Sequence, residues 1–431
     1  MSGDSKVVIQ PARSLAGSLR LPGDKSISHR YAMLAALAPG RSRFENFSTG
    51  ADCASTLVCM EALGCQVRRG PEAIEIEGLG AHLRAPRAPL DCGNSGSTMR
   101  MLAGILAGQA FTSEMIGDAS LSRRPMARIL APLRQMGATV EALGEGERPP
   151  LRVHGGRLQA IDYQTPVASA QVKSCVLFAG LLAEGTTSVE EPVRTRDHGE
   201  LALRAFGATL ERSRNRAQIR GGQPLHPIDA YVPGDISSAA FFLCAAALLP
   251  DSDLVIDGVG MNPTRAVLLD VLTALGAQIA VINLEERHGE LVGSVRIQHG
   301  ALRGIRLAGA QSAALIDELP VLAAIAPYTE EGAVIADARE LRVKESDRIA
   351  TIAANLRRMG AEVEERDDGL RIPGRQRLRG AAVDSAGDHR IAMAFAVAAL
   401  AAESSTTIAG AEAARISFPE FFDLLETLAV R

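Results

Sequence analysis

Tryptophan is absent from this chain and only 3% of its 431 residues are aromatic, which argues against the base-stacking surfaces that single-stranded nucleic acids use. An excess of one charge is missing too. With 46 basic and 50 acidic residues the net charge is −4, so no global field gathers a polyanion, and no nucleic-acid partner is expected. No apolar run approaches the roughly 18 residues of a membrane span, and "MSGDSKVVIQPARS" lacks the apolar core of a signal peptide, so no membrane partner is expected. The six cysteines form no CxxC pair and mostly sit in helix-like apolar runs; they read as reduced, buried thiols of a cytoplasmic protein. Eight scattered histidines without HxH or HExxH spacing point to no metal site. What is present is a chain 47% hydrophobic, long enough for two to three average domains with large cores.

Internal repetition is the first positive signal. A short element closes an apolar, helix-periodic stretch five times: Leu63-Gly64-Cys65, Met136-Gly137-Ala138, Phe206-Gly207-Ala208, Leu275-Gly276-Ala277 and Met359-Gly360-Ala361. The glycines lie about 70 residues apart, the last interval being nearer 84. Each reads as the left-handed cap of a helix, followed by an alternating strand such as "ATVEAL" or "ATLERS". Upstream of each lies a polar helix start before an Ala/Leu-rich helix: "PGDKSISHR", "CGNSGSTMR", "VASAQVKSC", "VPGDISSAA" and "IDELPVLAA", with a sixth at "AGDHRIAMA". A short β-branched or apolar strand follows each helix. The unit reads helix, strand, helix, strand, and six units make six small α/β subdomains. The near-identity of Pro22–Leu37 and Pro233–Leu248 suggests that units four to six restart the first three, giving two lobes of three units each.

Cations gather at these polar starts and the turns equivalent to them: Lys25 and Arg30, Arg124, Arg196, Lys344 and Arg348, and Arg390. Helix N-termini present free N–H groups and the positive dipole end, so the pattern suits a small, highly anionic ligand. Plainer readings stand beside this one. Lys344, Glu345, Asp347 and Arg348 also fit an ion-pair ladder at a helix start. His389-Arg390 fits a helix cap, and His29 an ordering role. Gln171 enters an apolar helix, where it is either satisfied by a neighbouring loop or reaches into a cleft. Asp317 opens an apolar helix and fits an N-cap. Glu345, between two cations, fits a simple ion pair.

Together "LPGDKSISHR", "GNSGSTMR", "SRRPM", "ASAQVKS", "VPGDISSAAFF", "MNPTR", "DELPVLA", "LRVKESDR" and "DHRIAMAF" resemble the 5-enolpyruvylshikimate-3-phosphate synthase family, collinearly from about Gln10 to Phe422. "ASAQVKS", the Arg196-Asp197-His198 turn and "SFPEFF" resemble its class II subgroup. The resemblance implies the two-domain α/β enolpyruvyl transferase fold of the inside-out barrel type. Each domain has three βαβαββ units, and the two close around substrate. It places residues 21–233 in one lobe and 1–20 with 234–431 in the other, with crossovers near Leu21 and Gly234. It implies transfer of the enolpyruvyl group of phosphoenolpyruvate to the 5-hydroxyl of shikimate 3-phosphate, without metal or organic cofactor, by a cytoplasmic monomer.

Carried over by position, the resemblance assigns shikimate 3-phosphate to Lys25, Ser26, Arg30, Ser169, Ala170 (through its backbone), Gln171, Arg196, Asp317 and Lys344. Phosphoenolpyruvate falls to Lys25, Gly96, Arg124, Gln171, Arg348 and Arg390. Asp317 is the expected base at the 5-hydroxyl, with Glu345 and Lys25 as candidates for proton delivery. The chain departs from the family at Ile416, where many members carry Lys, and at Glu340, where Asn is frequent. Gly96 occupies the position where Ala, in some relatives, intrudes on the space of the inhibitor glyphosate. The related UDP-N-acetylglucosamine enolpyruvyl transferases share the fold, but their loop Cys is missing here, where "MIGDASLSRRPM" has Asp118. No transit segment precedes the first motif, which favours a bacterial-type cytoplasmic protein.

Overall fold

The computed structural model describes residues 5–431; the first four, part of the stretch read for a signal peptide, lie outside them. The chain divides into two compact lobes. The first comprises Gly23–Val232 with Glu286–Glu290. The second comprises the stretch up to Pro22, Pro233–Glu285 and Leu291–Arg431.

Six small sheets carry the repeat. In the first lobe Gly40–Glu45 runs parallel to Asp229–Tyr231 and antiparallel to Ala73–Gly78, which pairs with Gln66–Arg69. The same order recurs around Thr112–Ile116, flanked by Leu90–Asp91 and Arg148–His154, and around Thr186–Glu190, flanked by Asp162–Gln164 and Arg216–Arg220. The second lobe repeats it around Asp253–Gly260 and Gly332–Ile335. Its last sheet is closed by the N-terminal strand Lys6–Ile9 against Thr406–Ala409. Five of the six units are thus βαβαββ and the last has only three strands, but in every one the first two strands run parallel across a helix as a crossover connection requires. In the opening unit of each lobe the first strand comes from elsewhere in the chain. Asp229–Tyr231 serves the first lobe, and Ser14–Arg20 serves the second beside Asp253–Gly260.

The first-lobe helices are α1 (Lys25–Leu37), α2 (Ala51–Ala62), α3 (Gly96–Ala107), α4 (Ala127–Gln135), α5 (Ala170–Leu182) and α6 (His198–Ala205). The second lobe adds α7 (Ile236–Leu248), α8 (Val267–Leu275), α9 (Ala310–Ala314), α10 (Leu319–Ile325), α11 (Arg348–Arg358), α12 (His389–Leu400) and α13 (Phe421–Leu428). In each lobe three helices, α1, α3 and α5 or α7, α10 and α12, are almost wholly buried. A helix hydrophobic on all sides belongs in a core, and small residues let these approach closely. A Cβ on Gly104 of α3 would stand 2.2 Å from the Cys175 carbonyl oxygen of α5. The outer helices end on Gly64, Gly137, Gly207, Gly276 and Gly360, all at positive φ, the conformation that selected glycine at each repeat.

N-caps set where the buried helices begin. Asp24, Ser95 and Ser169 accept hydrogen bonds from backbone N–H groups of α1, α3 and α5, and Asp235 and Asp388 do so for α7 and α12. In α1, α3 and α5 the part-exposed residues lie at the polar start, apart from Leu182 at the end of α5. No helix among the described residues is long and apolar enough to cross a membrane.

Candidate active site

In the first lobe the α1 start is built by opposite charges. Lys25 Nζ lies 2.9 Å from Asp52 Oδ2, the acid standing in the first turn of α2. Arg30, one turn on, is buried. It donates to the Ser26 carbonyl oxygen at 2.8 Å, to Ser174 Oγ at 3.0 Å and to the Ala170 carbonyl oxygen at 3.4 Å. Burial lowers its pKa to about 10; Glu200 opposes this and nearby Arg196 reinforces it. Arg30 therefore stays cationic near neutrality and binds the first turns of α1 and α5 together. His29 points the other way, its Nδ1 2.7 Å from Thr56 Oγ1, in keeping with an ordering role.

A second group surrounds the α3 start. Arg124, 7% exposed, donates to Asn94 Oδ1 at 2.7 Å and to Ser120 Oγ at 3.2 Å. A Cβ on Gly96 would meet Arg100 Nη1 at 2.9 Å and Arg124 Nη1 at 3.4 Å, so two guanidinium groups face this turn. Gln171 accepts from Arg100 Nη1 at 2.8 Å and donates to Ser97 Oγ at 2.9 Å. The half-buried amide is satisfied by α3 rather than by a loop, and this joins α3 to Ser169 and Ala170 at the α5 start.

In the second lobe everything turns on Arg348, which is 1% exposed. Its Nε lies 2.8 Å from Asp388 Oδ2, its Nη2 2.6 Å from Glu345 Oε2, and its Nη1 3.6 Å from Asp317 Oδ1. Burial alone would lower its pKa, but Asp388, Glu345 and Asp317 together raise it above the ordinary arginine value. Lys344 sits in the same field. Desolvation lowers its pKa, Asp317 opposes that and Arg348 adds to it. Asp388 also accepts from Ser346 Oγ at 3.1 Å and from the Arg390 backbone N–H at 2.9 Å. Arg390 extends to the Ser237 carbonyl oxygen at 3.4 Å.

Each lobe thus gathers its share of the expected residues: Lys25, Ser26, Arg30, Gly96, Arg124, Ser169, Ala170, Gln171 and Arg196 in the first, and Asp317, Lys344, Glu345, Arg348 and Arg390 in the second. The plainer readings are partly met. Arg348–Glu345 is an i,i+3 pair, and Asp347 caps α11. Asp317 is no cap: it stands in the turn between α9 and α10, and the cap position of α10 falls to Glu318, whose side chain bonds Ser237 Oγ instead. Asp388, not His389, caps α12. Four residues escaped the sequence reading: Asp52, Arg100, Asp388 and Arg265, the last 3.2 Å from Asp235. Asp388 had a signal, because Gly-Asp precedes α1, α7 and α12 alike.

A family model described as EPSP synthase (3-phosphoshikimate 1-carboxyvinyltransferase) matches residues 9–425. The chain is 62% identical over 426 residues to the 3-phosphoshikimate 1-carboxyvinyltransferase of Koribacter versatilis, covering 99% of each. Among solved structures it resembles EPSP synthase from Acinetobacter baumannii, with TM-score 0.88 and 41% identity over 99% of this chain and 98% of that one. The enolpyruvyl transferase NikO from Streptomyces tendae shares the fold, with TM-score 0.80 at 21% identity over 99% of this chain and 98% of that one.

Proposed function

This chain belongs to the EPSP synthase family, and from that membership we propose that it transfers the enolpyruvyl group of phosphoenolpyruvate to the 5-hydroxyl of shikimate 3-phosphate. The products are 5-enolpyruvylshikimate 3-phosphate and phosphate, on the shikimate pathway to chorismate and the aromatic amino acids. The observation that carries the reading is that Arg30, Arg124, Arg348 and Arg390 are all buried and held by named partners. The two substrates each bear a phosphate of about −1.5 to −2 and a carboxylate, so they repel one another. Cations fixed in advance offset that repulsion without reorganising during the reaction.

Shikimate 3-phosphate is held by Lys25, Ser26, Arg30, Ser169, the Ala170 backbone, Gln171, Arg196, Asp317 and Lys344. Phosphoenolpyruvate is held by Lys25, Gly96, Arg124, Gln171, Arg348 and Arg390. In the addition step the 5-oxygen bonds to C2 of phosphoenolpyruvate while its proton passes to Asp317, and a proton delivered to C3 turns the methylene into a methyl group. In the elimination step a C3 proton leaves, the double bond re-forms and the bond from C2 to the phosphate oxygen breaks. Glu345 and Lys25 are the groups available for proton delivery at C3 and at the departing phosphate. The free, buried cysteines suit a reducing cytoplasm, where the enzyme works as a monomer.

Incubation with phosphoenolpyruvate and shikimate 3-phosphate releases one phosphate per enolpyruvyl ether formed, and none without the acceptor. Release with UDP-N-acetylglucosamine in place of shikimate 3-phosphate would overturn the reading.

A further inference from the structure

Below the first-lobe residues assigned to shikimate 3-phosphate lies a buried ion-pair triad that the reaction scheme does not use. Lys173, two residues beyond Gln171 on α5 and 3% exposed, has its Nζ 2.9 Å from Glu191 Oε2 and 3.0 Å from Glu200 Oε1. Both acids are themselves 3% exposed. Glu191 follows the strand Thr186–Glu190, and its carboxylate accepts from two separate turns. The Ser169 backbone N–H donates to Oε1 at 3.1 Å. Thr195 donates its hydroxyl to Oε1 at 2.6 Å and its backbone N–H to Oε2 at 3.3 Å. Ser169 caps α5, and Thr195 directly precedes Arg196. One carboxylate therefore spans the two turns that carry Ser169, Ala170, Gln171 and Arg196.

An acid under a phosphate site needs a reason, since its charge opposes the ligand. Lys173 supplies the compensation, shared between two glutamates in a region where the pair is screened little by solvent. A neutral bridge would not match the strength of a carboxylate accepting from a hydroxyl and two backbone N–H groups.

We propose that Glu191, compensated by Lys173, is a positioning residue that fixes the spacing between Ser169 at the α5 start and the Thr195–Arg196 turn, and thereby sets affinity for the phosphorylated acceptor, while Gln171 is held separately by Arg100 and Ser97. The inference rests on the site reading above. It predicts an effect on shikimate 3-phosphate that phosphoenolpyruvate does not share.

The test uses the full chain. Glu191→Ala risks the fold, so Thr195→Val, which keeps the volume and deletes the hydroxyl bond, is the primary variant, with Thr195→Ser as the conservative rescue. Calorimetric Kd and steady-state KM for shikimate 3-phosphate are expected to rise about tenfold in Thr195→Val, the size of one lost charge-assisted hydrogen bond. The KM for phosphoenolpyruvate and kcat are expected to hold, the unfolding midpoint to fall only by what one lost hydrogen bond costs, and Thr195→Ser to return both the midpoint and the Kd to near the parent. A parent protein that binds shikimate 3-phosphate, beside a Thr195→Val variant that binds it equally well, overturns the inference alone. So does a parallel rise in both substrate constants, or failure of the serine variant to rescue. A parent protein that does not bind shikimate 3-phosphate removes the site reading and this inference with it.

Discussion

The starts of α1 and α7 are the same device put to two uses. Both follow Pro-Gly-Asp, both helices run 13 residues, and in both the Asp caps the first turn. At matching positions α1 carries Lys25, His29 and Arg30 where α7 carries Ile236, Ala240 and Phe241. Each start also pairs a charge with the next helix, in opposite senses. In the first lobe the cation is on α1 and the acid, Asp52, on α2. In the second the acid, Asp235, precedes α7 and the cation, Arg265, precedes α8. The exposures differ accordingly. The Lys25 side chain is 16% exposed, whereas Arg265 at 2% is enclosed. The backbone supplies a helix N-terminus in both lobes; the side chains decide whether its first turn stays part-exposed or joins the core.

Exchanging those side chains is the strongest way to break the comparison. Lys25→Met is expected to lower kcat by about a thousandfold, the upper range for deleting one electrostatic contact in a preorganised site. The single variant also leaves Asp52 buried without its cation, so some loss of stability is expected. Lys25→Met with Asp52→Asn should restore the unfolding midpoint and leave turnover lost. Recovery of activity in the double variant would mean that Lys25 acts only by neutralising Asp52. The mirror change, Ile236→Lys, puts a cation where exposure is 2% and is expected to destabilise by about 3 kcal/mol or more, measured by chemical unfolding.

Arg265→Leu tests the enclosed pair from its other side. Asp235 and Glu318 lie 3.2 and 3.9 Å from the guanidinium, and removing it takes this cation from two buried acids, a loss of roughly 3–5 kcal/mol. A stability change under 1 kcal/mol would show that this pair is as dispensable as a surface ion pair.

The repeat was legible because its markers are local. A helix end needs a residue at positive φ, a helix start needs a cap, and each leaves a short motif wherever it recurs. Lys25 and Arg30 stood out as charges in an apolar helix. Their assignment to particular substrates came from the family resemblance, since no spacing rule distinguishes a phosphate ligand from a solvated cation. Asp52 was illegible because its partner is 27 residues away and the pairing exists only once α1 packs on α2. The plainer reading of Asp317 as a cap fails because α10 starts at Leu319 and its cap position falls one residue on, at Glu318. Another set of markers went unread. A Cβ on Gly78, Gly155 or Gly221 would stand 1.9, 2.2 or 1.8 Å from a carbonyl oxygen just beyond or within the end of α1, α3 or α5. Among 41 glycines nothing but packing singles these out.

A smaller effect sharpens the contrast at α3. Gly96→Ala directs a methyl group at the Arg100 and Arg124 guanidinium ends, which are flexible enough to move. The expected result is a KM for phosphoenolpyruvate raised about tenfold, with weaker inhibition by glyphosate and little change in the KM for shikimate 3-phosphate. Inhibition unchanged in Gly96→Ala would show that the turn has room to spare.

The smallest effect follows from His29, whose counterpart in α7 is Ala240. Burial holds the His29 pKa well below 6.5, Lys25 and Arg30 lower it further, and Asp24 opposes them. The folded protein therefore keeps His29 neutral at a pH where the unfolded chain takes up a proton. Below about pH 6.5 the unfolded state binds more protons, so stability falls as pH falls, and above that pH this contribution is flat. The loss grows as the pH falls further below the unfolded value. In His29→Asn, which keeps a polar atom near Thr56 Oγ1, denaturant unfolding between pH 5.5 and 7.5 should show a shallower acid slope, whatever its absolute stability. Lys25→Met should leave most of the slope in place, because burial, the larger cause of the neutral ring, is unchanged. An unaltered slope in His29→Asn would leave His29 a packing residue, as Ala240 is in the other lobe.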